Sequence, residues 1–220
     1  MGMANITEFL THVITYVPGC SEPLALQQIR DVCIDFCSKT SIWQETLDSI
    51  DVAANTREYL VQPPLNSQIL SIAGAWYKRR PIGILNADSS QLVPEQLASG
   101  FAGEQTAPGE PNTVLYSLVD KSITVNPVPA SDLTAAITLR VVLRPTRTAT
   151  TVPDFLLTDY EYAIAQGAIS RITRIPGQTF TDFATSALTE REYISARNQA
   201  MVRANKTFTR SQASIKMRPF

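Results

Sequence analysis

The side chains best suited to catalysis are scarce in this sequence. One of the 220 residues is histidine, His12, and three are cysteines, Cys20, Cys33 and Cys37. Acid–base and nucleophilic catalysis use histidine, cysteine or paired carboxylates held within reach of one another. His12 lies within an amphipathic helical pattern, and no Gly-x-Ser-x-Gly motif supplies it with a nucleophile. We therefore predict a partly exposed structural histidine, no catalytic residue, and a protein that is not an enzyme.

Metal and cofactor sites are not predicted either. Cys33 and Cys37 are one helical turn apart, but a zinc ion needs two further ligands, and no second cysteine or histidine pair is present. Both cysteines are therefore predicted to pack in the core. The glycines at 100, 103 and 109 neither follow a predicted strand nor open a helix, so they do not form a phosphate-binding loop. We expect no metal and no cofactor.

Charge is distributed unevenly along the chain. Residues 1–139 carry 14 acidic and 7 basic side chains, whereas residues 140–220 carry 6 acidic and 12 basic ones. After Glu192 the sequence contains no acid. Such asymmetry is found in tails that bind nucleic acid, in docking tails, and in chains whose copies contact one another.

The basic C-terminal segment leaves three interpretations open. A solvated tail is one, and nucleic-acid binding is another, although that function favours denser Lys and Arg with stacking aromatics. The third is a docking arm that pairs with a partner's sheet edge, because polar residues alternate with Ile215 and Met217. We favour the arm. Its predicted contact residues are Phe208, Arg210, Ile215, Lys216, Met217, Arg218 and Phe220.

Hydrophobic periodicity predicts an α+β fold, with a helical domain into which an antiparallel β-domain is inserted. Asn5 and Glu8 predict a capped helix start, and Pro18-Gly19 ends that helix before a second one. Residues 42–145 show the two-residue period of strands, and the helical period returns from Pro153 as a helical hairpin. The predicted helical domain is 1–41 with 153–206, the β-domain is 42–152, and the extended C-terminal arm is 207–220. Predicted strands are 42–52, 56–62, 67–77, 112–119, 122–127 and 134–145, with a long loop at 78–111.

Several segments, taken in order, resemble the head–tail connector adaptors of short-tailed bacteriophages, a family that includes tail tubular protein A. The resemblance covers about residues 6–205 and consists of packing and turn motifs. The segments are residues 17–43, residues 75–82 (Ala-Trp-Tyr-Lys-Arg-Arg-Pro-Ile), Val125-Asn126-Pro127-Val128-Pro129, Leu143-Arg144-Pro145-Thr146, Val152-Pro153-Asp154-Phe155-Leu156, Ala165-Gln166-Gly167-Ala168 and Ile175-Pro176-Gly177-Gln178.

This resemblance implies a virion structural protein in the neck between capsid and tail, present in the host cytoplasm during assembly. It implies a homo-oligomeric ring, in this family a dodecamer, that binds the portal protein and a tail nozzle or tube protein. DNA would pass through the ring, with non-specific contacts to it. The C-terminal arm lies beyond the resemblance, and its docking on the portal is a separate prediction from its own residues. No membrane partner is expected. Two alternatives stay open: another phage tail part, such as a nozzle or tail completion protein, and a nucleic-acid-binding module.

Overall fold

The computed structural model describes residues 2–87, 109–118 and 120–208. The chain forms two compact units. The first combines Met1–Ile42 with Thr150–Phe220, and the second is Trp43–Ala149. Each unit has its own buried apolar residues, so each is described separately below.

The first unit contains a two-stranded sheet and most of the helices. Its elements are β1 (Met3–Asn5), a 3-10 helix (Ile6–Phe9), α1 (Leu10–Ile14), α2 (Glu22–Thr40), β11 (Thr151–Pro153), α3 (Asp154–Thr173) and α4 (Phe183–Phe208). The second unit is built from strands. They are β2 (Gln44–Thr46), β3 (Ile50–Val52), β4 (Glu58–Leu60), β5 (Ser67–Tyr77), β6 (Arg80–Pro81), β7 (Gly83–Ala87), β8 (Thr113–Ser117), β9 (Ser122–Asn126) and β10 (Leu133–Pro145).

The predicted capped start at Asn5 is confirmed. The Asn5 side chain accepts a hydrogen bond from the Thr7 amide, and Glu8 accepts one from the Asn5 amide, which makes a complete capping box. The helix that follows is shorter than the periodicity predicts. A 3-10 turn comes first, and α1 ends at Ile14.

Helix α3 is the centre of the first unit. Residues 163–170 are all buried, because α2 and α4 both pack against this helix. Gly167 permits the close approach. A Cβ atom at this position would lie 2.8 Å from Val32 Cγ1 and 2.9 Å from Tyr193 Cδ2, closer than carbon atoms normally come. The absence of a side chain at Gly167 therefore sets how tightly the three helices pack.

The predicted fold class, a helical domain with an inserted antiparallel β-domain, is wrong. The described residues form four α-helices and eleven strands in three sheets, so the fold is mixed and sheet-rich. Strand β1 pairs antiparallel with β11, from Met3 opposite Pro153 to Asn5 opposite Thr151, within the unit predicted to be helical. These two strands have three residues each, and 145 residues separate them in the chain. Segments so short and distant carry no measurable period.

The second unit has two sheets. The first has the order β2-β10-β5-β6, with β3 also paired to β10, and the second has the order β4-β9-β8-β7. The long strands β5 and β10 match the predicted segments 67–77 and 134–145, which confirms both predictions. Strand β10 buries Ile137, Leu139, Val141 and Leu143 at the two-residue period of a strand, and Val142 on the opposite side is buried as well.

Two predictions for this unit need correction. Strand β7 runs parallel to β8, from Gly83 opposite Thr113 to Ala87 opposite Ser117, so the sheet is not purely antiparallel. Both β6 and β7 fall within the predicted loop 78–111, whose residues 88–108 lie outside the described part of the chain. Strands β8 and β9, which match the predicted segments 112–119 and 122–127, pair antiparallel.

Candidate interaction surfaces

The single histidine lies at the surface of the first unit. His12 Nε2 is 2.9 Å from Glu161 Oε1, with the two side chains 56% and 34% exposed. This pair joins α1 to α3. Among the described residues, no nucleophile contacts this pair. The ion pair accounts for the position of His12 as a structural contact between the two helices.

The two helical cysteines are confirmed as core residues. Cys33 and Cys37 are fully buried on the inner face of α2. Burial raises the pKa of Cys33 to about 12, and burial together with the neighbouring Cys33 raises the pKa of Cys37 as well. Both side chains therefore stay as thiols at neutral pH and are poor nucleophiles. Among the residues that the structure describes, no group of three or more His, Cys, Asp or Glu side chains is placed to hold a metal ion.

A polar cluster that the sequence does not reveal joins α2 to α4. Asp35 accepts a 2.7 Å hydrogen bond from the Tyr193 hydroxyl, and Arg197 Nη1 lies 3.3 Å from the same Oδ2 atom. Lys39 Nζ is 3.1 Å from the other carboxylate oxygen. Tyr193 and Asp35 are 158 residues apart. Helical spacing places Asp35 on an apparently solvated face of α2, and no local signal indicates its distant partner.

Electrostatics in this cluster favour the ionised form of Asp35. Burial opposes ionisation, but hydrogen bonds from Tyr193 and Lys39, with the charges of Lys39 and Arg197, outweigh it and lower the pKa of Asp35. The pKa of Tyr193 is raised by burial and by Asp35, so this phenol stays protonated and remains the donor. The cluster is a fixed tie between two helices and has no open position for a substrate.

This cluster gives a pH-dependent prediction for the variant Asp35→Asn. Because the folded pKa lies below the unfolded one, the ionised carboxylate stabilises the fold fully above about pH 5 and loses this effect as pH falls below about 4. Asp35→Asn should therefore cost about 1–2 kcal/mol at neutral pH. The deficit should shrink towards zero in acid. Urea unfolding of both proteins from about pH 7 to pH 3 measures this, and a deficit independent of pH would contradict it.

Helix α4 carries large apolar side chains outside the part that packs on α2 and α3. Helix α4 buries a stripe that includes Tyr193, Ala200 and Ala204, but it also leaves large apolar side chains in solvent. Their exposed fractions run from 38% at Ile194 to 63% at Phe183. We call this set the α4 face. Its members are Phe183, Leu188, Ile194, Met201 and Val202.

Three of the five side chains of the α4 face lie along one line on the helix surface. Phe183, Ile194 and Met201 are separated by eleven and seven residues, which are close to three and two helical turns. They form one row about 27 Å long, at about 1.5 Å per residue. Helical spacing also places Glu190 on this side between Phe183 and Ile194, whereas Leu188 and Val202 point to other sides of the helix. Several exposed apolar side chains on one helix are still the kind of surface that a protein partner covers.

A second apolar surface lies on the second unit. Leu65 is 86% exposed, and Leu60, on the edge strand β4, is 74% exposed. Beside them is a cavity of about 250 Å³. Its lining residues are Pro63, Ser67, Gln68, Ile69, Tyr116, Leu118, Lys121 and Thr146. Lys121 adds a basic side chain to the lining of this cavity.

Most of the predicted C-terminal arm lies outside the described residues. Arg210, Ile215, Lys216, Met217, Arg218 and Phe220 fall there. Helix α4 continues to Phe208, so the first two residues of the predicted arm, 207 and 208, are helical instead of extended. Any arm therefore begins at the C-terminal end of the helix that carries the α4 face.

Comparisons with known proteins do not assign this chain to a family. No protein-family model matches the chain, and no curated protein matches it significantly. Within the described residues, no helix has both the length and the apolar character needed to cross a bilayer.

Proposed function

We propose that this chain is a structural adaptor subunit of the ring that joins the portal to the tail in a short-tailed bacteriophage. The proposal combines two kinds of support. The first is the ordered resemblance of residues 6–205 to the connector adaptor family. The second is the α4 face, an apolar surface that an isolated subunit would leave in water.

The α4 face is the observation that carries the proposal. Burying a fully exposed apolar side chain contributes about 1.5–3 kcal/mol, and these side chains are 38–63% exposed, so covering the α4 face adds about half of that at each position. A closed ring covers such a face with a different surface of the next copy, because its contacts are heterologous. Every copy in the ring then has the same face covered.

Charge supports pairing between unlike surfaces of two copies. The second half of α4 presents the exposed cations Arg203 and Lys206 and no acid, while Arg197 is already paired with Asp35. Exposed carboxylates lie instead on the 3-10 helix and the first turns of α3, at Glu8, Asp154 and Asp159. Opposite charges on two facing surfaces fix their orientation and disfavour pairing of like surfaces.

Mass photometry with the portal protein from the same phage tests this function. We expect the full chain to bind assembled portal rings and to add many copies per ring, giving one discrete species. Portal rings whose mass stays unchanged at micromolar concentrations of the chain would contradict the proposal.

The same mass photometry experiment also tests whether the C-terminal arm binds the portal. We propose that residues 209–220 contact the portal, which implies that their deletion weakens portal binding. Unchanged portal binding by the truncated chain would remove the arm from the proposal and leave the ring in place. The deletion begins after the last residue of α4, so the described helix stays intact.

A further inference from the structure

A tight β-hairpin in the second unit carries an unusual turn sequence. Strands β5 and β6 pair with Tyr77 opposite Arg80, so Lys78 and Arg79 are the two residues of the turn. Both have left-handed backbones, with φ of +48° for Lys78 and +66° for Arg79. Two-residue turns with positive φ at both positions are normally formed by Asn-Gly or Asp-Gly, because longer side chains disfavour this conformation.

Folding alone does not account for cations at these positions. Asn-Gly would make the same turn with less strain, so the sequence places two long basic side chains where the backbone disfavours them. Residues held in such conformations are concentrated at functional sites. The next residue, Arg80, is also basic and exposed, so the turn presents three consecutive cations. We call residues 78–80 the basic hairpin.

The carboxylates nearby only partly neutralise the basic hairpin. Glu110 Oε1 is 2.7 Å from Lys78 Nζ, and its other oxygen is 4.0 Å from Arg80. At the neighbouring end of the sheet, Asp51 accepts a hydrogen bond from the Ala135 amide.

Asp132 is held in the same way by the Ala54 amide. These hydrogen bonds hold both carboxylates against the backbone of the sheet. An amide hydrogen bond leaves a carboxylate charged, so Asp51 and Asp132 still act on the hairpin from a distance. Of the three carboxylates, Glu110 is the one that forms ion pairs with cations of the basic hairpin.

We propose that the basic hairpin binds the phosphate backbone of duplex DNA. Arginine presents a planar fork of donors that matches phosphate oxygens, and a two-stranded ribbon is narrow enough to enter the major groove. Arg79 and Arg80 are exposed on the turn, whereas Lys78 would have to exchange Glu110 for a phosphate to add a third contact. The inference rests on the proposed function for the source of the DNA, namely the genome in the channel. Copies in a ring would multiply this weak contact.

The test uses Lys78→Asn with Arg79→Gly in the full chain. Asn-Gly is the pair that the turn prefers, so this variant removes two cations while keeping the hairpin. Fluorescence anisotropy with a short labelled duplex at low salt should show affinity reduced by about tenfold or more. The plot of log affinity against log salt should become shallower by about one to two units, since each lost phosphate contact removes about 0.9 and Lys78 is already paired with Glu110.

A matched control removes two cations elsewhere in the same unit. Lys121 is exposed and also has a positive φ of +53°, and Arg147 is exposed. Lys121→Gly with Arg147→Ala should keep nearly all of the DNA affinity. An equal loss in both variants, or no loss in the hairpin variant, would overturn the inference. Displacement of the duplex by poly-glutamate at equal charge would also overturn it, because the site would then be one for acidic protein.

The two proposals can fail separately. Mass photometry of the hairpin variant with the portal should show the same assembly as the wild-type chain, since the hairpin is not part of the α4 face. DNA binding through the hairpin by a chain that never joins the portal would support this inference and contradict the proposed function. If the chain assembles with the portal but the hairpin variant binds DNA as well as the wild-type chain does, the result would support the proposed function and contradict this inference.

Discussion

A chain carrying Ile194→Glu and Met201→Glu should fold normally and fail to assemble. Both side chains are partly exposed in the free subunit, so the substitutions empty no core site, and glutamate is a good helix former. In an assembled ring, however, each copy would bury two unpaired carboxylates. At about 2 kcal/mol or more for each position, association should weaken by at least a hundredfold.

Mass photometry with the portal measures this loss, and circular dichroism checks that the fold is kept. The matched control is Gln27→Glu with Gln178→Glu, which adds the same charge at exposed polar positions on α2 and on the loop between α3 and α4. This control should assemble. Normal assembly by the Ile194→Glu, Met201→Glu chain would show that the α4 face is not an interface.

Replacement of Phe36 by alanine should produce the largest loss of stability in the first unit. Phe36 is fully buried on α2, and its ring centroid lies 5.0 Å from that of Tyr160 and 6.4 Å from that of Tyr193. The substitution removes these contacts and leaves a cavity where α2, α3 and α4 meet. A cost of about 3–5 kcal/mol in the free energy of unfolding is expected.

Phe183→Ala is the matched control for this prediction, since the substitution is chemically the same. Phe183 is 63% exposed, so its loss should change the free energy of unfolding of the free chain by no more than about 0.5 kcal/mol. Urea unfolding followed by the helical circular dichroism signal reports mainly on the first unit. Trp43 and Trp76 both belong to the second unit, so their fluorescence should change little in either variant. Equal costs for the two substitutions would contradict the packing described here.

Local signals predict much of the secondary structure because they act over a few residues. The capping box at Asn5, the Pro18-Gly19 stop and the two-residue period of β5 and β10 all depend on near neighbours in the chain. The burial of Cys33 and Cys37 follows from their place on the apolar stripe of α2. Predictions of this kind succeed where a long segment repeats one pattern.

Pairings between distant segments are what the sequence does not reveal. Strands β1 and β11 have three residues each, and their pairing turns a predicted helical domain into a mixed one. The parallel pairing of β7 with β8 spans residues that composition favours as loop. The contact between Asp35 and Tyr193 likewise depends on how α4 folds back across α2. In each case the partner is chosen by tertiary packing, which no local period encodes.

The candidate surfaces also combine features that the sequence shows with features that only the folded structure shows. The basic segment at residues 78–80 is visible in the sequence, but its left-handed turn is not, because Lys-Arg is an unusual pair for a two-residue hairpin. The alignment of Phe183, Ile194 and Met201 can be computed from helical spacing. Which side of α4 stays in solvent depends on its packing against α2 and α3, so the sequence alone does not separate an interface from a core face.

Electron cryomicroscopy of the phage neck tests most directly whether identical copies cover the α4 face. We expect a closed ring of this chain between the portal and the tail, with Ile194 and Met201 of each copy buried against the next. A neck that lacks this chain would contradict the account, and so would a ring in which these two side chains remain in solvent.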